Sequence, residues 1–62
     1  MFMPGMLVRL RTRPEIMVVS GTTSDKRWVH CCWYERGELK RQSFSAGELT
    51  VIEAGYNYLS FT

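Results

Sequence analysis

Lys26-Arg27-Trp28-Val29-His30-Cys31-Cys32-Trp33-Tyr34 changes character at every second residue. In an extended chain, Val29, Cys31 and Trp33 share one side, and Trp28, His30, Cys32 and Tyr34 share the other. The first set is smaller and drier, so it is assigned to the core. Glu35-Arg36-Gly37-Glu38 follows as a tight hairpin turn, with glycine where a positive φ is needed. Leu39 to Phe44 is then the returning strand, and Phe44 joins Trp33 inside.

Upstream, the run Ile16-Met17-Val18-Val19 is apolar and mostly β-branched, which predicts a strand over 16–20. Gly21-Thr22-Thr23-Ser24-Asp25 is a loop by composition. Met6 to Thr12 alternates, with Met6, Val8 and Leu10 on one side and Leu7, Arg9 and Arg11 on the other. Gly5 is a turn residue ahead of this strand. Arg13-Pro14-Glu15 ends it, because proline cannot donate to a ladder. Downstream, Ser45-Ala46-Gly47-Glu48 has the spacing of a capping box around one helical turn. Leu49 to Glu53 is the last strand. The pattern predicts an all-β domain over residues 1–54, a small five-stranded SH3-like barrel with a short helical turn before the last strand. Residues 55–62 form an aromatic tail that folds back or mediates association.

Four stretches resemble a known family. Gly5-Met6-Leu7-Val8-Arg9-Leu10-Arg11 resembles an opening G-D-x-V-x-L-K, and Met17-Val18-Val19 resembles M-T-V. Val29-His30-Cys31-Cys32-Trp33-Tyr34 resembles V-x-C-x-W-F. Gly37-Glu38-Leu39-Lys40, with Phe44 and Leu49, resembles G-E-L-K-x-x-x-F with a leucine five residues on. Together these resemble the YodC-like family of small bacterial proteins, often carried by phages and mobile elements. The likeness covers residues 5–53. Met6 stands where the family has an acidic residue, and Arg13-Pro14-Glu15 where it has Gly-Gly-Pro, so the first turn is expected to be built differently. The resemblance implies a small β-barrel and brings no activity with it.

At 62 residues the chain has room for one domain of marginal stability. Two tryptophans, three tyrosines and three phenylalanines argue against disorder. A formal charge of +2 permits an acidic or nucleic-acid partner without demanding one. Met1-Phe2-Met3-Pro4-Gly5 lacks the charged start and apolar run of a signal peptide, and no apolar stretch reaches membrane-spanning length. Adjacent Cys31 and Cys32 point to opposite faces and read as free thiols, which suits a reducing cytoplasm.

His30, Cys31 and Cys32 carry the chain's only cysteine and histidine ligand atoms. They fall short of the tetrahedral set that zinc requires, so neither metal nor cofactor is expected. His30 beside Cys32 lacks an orienting acid for nucleophilic catalysis. Arg41-Gln42-Ser43-Phe44 shares only its glutamine with the V-Q-I-Y pore strand of the plasmid-borne barrel dihydrofolate reductases, a distant alternative. The chain is therefore expected to bind rather than catalyse. Its expected surface comprises Arg27, Trp28, His30, Tyr34, Arg36, Lys40 and Arg41, because rings beside arginines make both protein hot spots and base-stacking platforms. The expected partner is a protein, as for a phage or mobile-element inhibitor of a host system, and the alternative is nucleic acid. Arg9, Arg11 and Arg13 are expected along one side of the first strand, as a solvated face or as a cationic rim for phosphates or an acidic protein. Tyr56, Tyr58 and Phe61 are the expected association residues, with a homodimer as one outcome.

Overall fold

The two-residue hairpin after Glu35 sets the register from which the sheet can be built. Arg36 and Gly37 have φ of 53° and 81°, a pair of left-handed residues that matches the twist of the flanking strands. Glu35 therefore pairs with Glu38, Tyr34 with Leu39, and so on back to Trp28 with Ser45. The structure is a computed structural model and describes residues 2–53. The expected tail residues Tyr56, Tyr58 and Phe61 lie outside the described residues.

Five antiparallel strands form one sheet: β1 (Leu7–Leu10), β2 (Met17–Thr22), β3 (Trp28–Glu35), β4 (Glu38–Ser45) and β5 (Leu49–Glu53). Their spatial order is β4-β3-β2-β1-β5. A 3₁₀ turn over Ala46–Glu48 carries the chain from one edge of the sheet to the other. The Glu48 carboxylate accepts the Ser45 N–H at 3.3 Å, the reach-back half of the capping box. Two backbone bonds tie this turn to distant strands. Ala46 N–H donates to the Arg27 carbonyl at 3.0 Å, and Arg11 N–H donates to the Glu48 carbonyl at 3.0 Å. The second bond carries the β1–β5 register one step past Leu10. β1 stops at Leu10, two residues short of the expected Thr12, because Arg13 N–H closes a turn on the Leu10 carbonyl at 3.2 Å.

The core holds Met6, Val8, Met17, Val19, Val29, Cys31, Phe44 and Leu49, so every strand contributes. No polar or charged residue is buried among them. Each fully buried aliphatic side chain stabilises the fold by roughly 1.5–3 kcal/mol. Phe2, Leu10, Trp33 and Ala46 pack around this cluster, half-buried. The β2–β3 register shifts between Val19 and Gly21, leaving Ser20 as the extra residue, and its hydroxyl donates to the His30 carbonyl at 3.1 Å. Among the described residues no helix is long and apolar enough to cross a membrane.

Leu49 is 4% exposed and closes the core from the last strand. Leu49→Ala should lower unfolding free energy by about 2–4 kcal/mol, a large share of the total for so small a domain. Val18→Ala, on the outward face of β2, should cost under about 1 kcal/mol. Urea denaturation of the two variants checks the contrast. Equal losses would mean that the inward and outward faces have been exchanged.

Candidate functional site

Strand β3 presents Trp28, His30, Cys32 and Tyr34 away from the core, opposite the buried Val29 and Cys31. Their neighbours across the ladder on β4 are Ser45, Ser43, Arg41 and Leu39. His30 Nδ1 and Ser43 Oγ lie 2.6 Å apart, so the ring is held by its cross-strand neighbour. Tyr34 is 75% exposed and Trp28 is 47% exposed. Six residues separate these rings along one strand, which is about 20 Å at the rise of an extended chain. They share a face without forming one cluster.

The remaining expected residues divide between locations. Arg41 sits beside Cys32 on the outward face. Arg36 is in the hairpin turn. Lys40 lies across the ladder from Trp33, on the opposite face from Tyr34, and its Nζ pairs with the Glu38 carboxylate at 3.2 Å. Arg27 belongs to the β2–β3 loop and reaches Asp25 at 4.0 Å, both side chains well exposed. That loop is ordered by its own bonds. Thr23 Oγ1 donates to Asp25 Oδ1 at 2.6 Å, and Arg27 N–H donates to the same oxygen at 3.0 Å. These bonds, the Thr23 hydroxyl first, hold the Asp25 carboxyl below the usual carboxylate range. Arg27 and Trp28 therefore form a separate end of the surface.

Around Tyr34 the outward face carries aliphatic side chains that had been read only as strand formers. Val18 pairs with Leu7 on one side and Cys32 on the other, and Leu39 pairs with Tyr34. Ile16, Val18 and Leu39 are exposed, Ile16 at 55%. The signal for them was present in the alternation: with Met17 and Val19 inside, Ile16 and Val18 must face out.

A cleft of about 730 Å³ opens beside Ile16 and Tyr34, between the β1–β2 loop and the β3–β4 hairpin. Leu10, Met17, Trp33 and Phe44 line it together with Arg13, Glu15, Glu35, Gln42 and Glu48. Trp33 packs tilted against Phe44, with ring centres 6.2 Å apart. It is half-buried because its β4 neighbours on that face, Lys40 and Gln42, offer no apolar cover. Among the described residues, no group of three or more His, Cys, Asp or Glu side chains could hold a metal ion. No protein-family model matches the chain, and neither does any curated protein or solved structure.

Burial pushes the Cys31 thiol up from 9.0 to about 11, with the neighbouring Cys32 adding a smaller like-charge effect. The unfolded thiol therefore ionises before the folded one. The stabilisation is complete below pH 9 and is lost as the pH rises towards 11. Cys31→Ala should flatten the loss of stability between these limits relative to the unsubstituted chain, as read by thermal melts across the window. In the native protein a thiol-specific disulfide reagent should label Cys32 and spare Cys31 until denaturant is added.

Proposed function

We propose that this chain is a protein-binding module built on an SH3-like barrel, acting through the outward face around Tyr34. The strand order and the 3₁₀ turn before β5 support the barrel reading. They suit the YodC-like resemblance equally well. One observation carries the functional reading: Ile16, Val18, Tyr34 and Leu39 are all large apolar residues left exposed on the described chain. Side chains of this kind gain little from water, and contiguous patches of them on small domains usually mark contacts. Arg41 and the Tyr34 ring supply the residue types that dominate protein hot spots.

The nucleic-acid alternative is weaker on the same geometry. Bases stack on rings, and the two outward rings of β3 are about 20 Å apart along the strand. The ladder partner of Tyr34, Leu39, is aliphatic, which suits a protein surface better than a base.

Affinity capture from cell extract should recover a partner with the unsubstituted chain and lose it with a Tyr34→Ser/Leu39→Ser double variant of unchanged melting temperature. Undiminished capture by that variant would sink the proposal. Tight binding to single-stranded nucleic acid at low salt, lost in the same variant, would favour the alternative instead.

A further inference from the structure

We propose that the groove between the β1–β2 loop and β5 receives an acidic peptide segment carrying an apolar side chain. This rests on the protein-binding reading above and specifies the chemistry of the partner. Arg9, Arg11 and Arg13 line this shallow, open groove with Thr12, Pro14, Ile16 and Ile52. Ile16 also belongs to the outward apolar strip, so a single bound segment can touch both.

The arginines converge because the backbone turns. Arg9 lies on β1 between the inward Val8 and Leu10. Beyond Leu10 the bonds from Arg11 N–H to the Glu48 carbonyl and from Arg13 N–H to the Leu10 carbonyl fold the next residues back along the strand end. The Arg9 guanidinium braces this turn, donating from Nη1 to the Leu10 carbonyl at 3.1 Å and the Arg11 carbonyl at 3.4 Å.

Among the described side chains, which leave out that of Glu53, no carboxylate pairs with any of the three guanidinium groups. Arg27 pairs instead with Asp25, and Lys40 with Glu38. The nearest acid in sequence, Glu15, lines the larger cleft together with Arg13, Glu35 and Glu48. Arg13 borders both openings, whereas Arg9 and Arg11 line only the groove, away from those acids. A carboxylate is the complementary group, since the planar guanidinium fork accepts it in two-point contact.

The walls decide between a peptide and a nucleic acid. Pro14, Ile16 and Ile52 have no π-face, and among the described residues no aromatic side chain lines the groove. A base would find nothing to stack on there. An aliphatic side chain would cover Ile16 and Ile52, which are 55% and 43% exposed.

The test uses a short fluorescein-labelled peptide alternating glutamate and leucine, followed by fluorescence anisotropy. The intact chain should bind it, and affinity should fall as salt is raised. An Arg11→Gln/Arg13→Gln variant should bind about tenfold more weakly, in line with about threefold for each exposed ion pair. Arg9 is left in place because it braces the turn. Ile16→Ser/Ile52→Ser should also weaken binding, and melting temperatures identify any variant that has lost its fold. No binding by the intact chain, equal binding of a lysine–leucine peptide, or an unchanged affinity in the arginine variant would each overturn the proposal. So would arginine-dependent binding of a single-stranded oligonucleotide in preference to the peptide. If the peptide fails while Tyr34-dependent capture of a protein persists, the groove assignment falls and the binding-module reading stands.

Discussion

The fold depends on the alternation of β3 being held on both of its edges. Val29 and Cys31 are 0% and 1% exposed, and each has a ladder partner on both sides. A slip of one residue would send His30 and Cys32 inward and put Val29 in water. The core contains no polar residue that could tolerate such an exchange. The hairpin at Arg36 and Gly37 fixes β4 against β3, because a two-residue turn with two positive φ values leaves one register. The bulge at Ser20 takes up the mismatch on the β2 side.

That same constraint leaves the cleft. Along β3 the inward row continues from Val29 and Cys31 to Trp33, but along β4 it runs from Phe44 to Gln42 and Lys40. Apolar cover therefore ends one pair before the turn. Trp33 is left with one face on Phe44 and another towards the opening, where Glu15 and Glu35 also stand. The domain is well packed near the 3₁₀ turn and open near the hairpin.

Much of this could be read from residue order. The faces of β3, the hairpin glycine, the Ser45–Glu48 turn and the last strand all follow from local patterns, and each appears in the structure. The placement of Lys40 was also within reach, since counting back from a two-residue turn puts it opposite Trp33. The separation of Trp28 from Tyr34 needed only the rise of a strand. Other features had no local signal. The end of β1 at Leu10 comes from the turn that Arg13 N–H closes on the Leu10 carbonyl, ahead of the proline that was the visible breaker. The bulge at Ser20 reflects how β2 meets β3, and Ser20 itself looks like any strand residue. The groove of three arginines was expected as a straight row, and it is the turn closed by Arg13 on Leu10 that gathers them beside Ile52.

A domain of this length has little stability to spare, yet it leaves several large apolar residues in water. Those residues could have been polar at no cost to the core, since none of Ile16, Val18, Tyr34 or Leu39 belongs to the buried cluster. Their retention makes physical sense if the bound state is the one that matters. A partner that binds only the folded chain adds about 2.7 kcal/mol at a hundred times its dissociation constant. For a core of eight buried side chains, that is comparable with the contribution of one of them. Covering the outward strip would thus act on folding and recognition together, with the arginine groove setting which charge the partner brings.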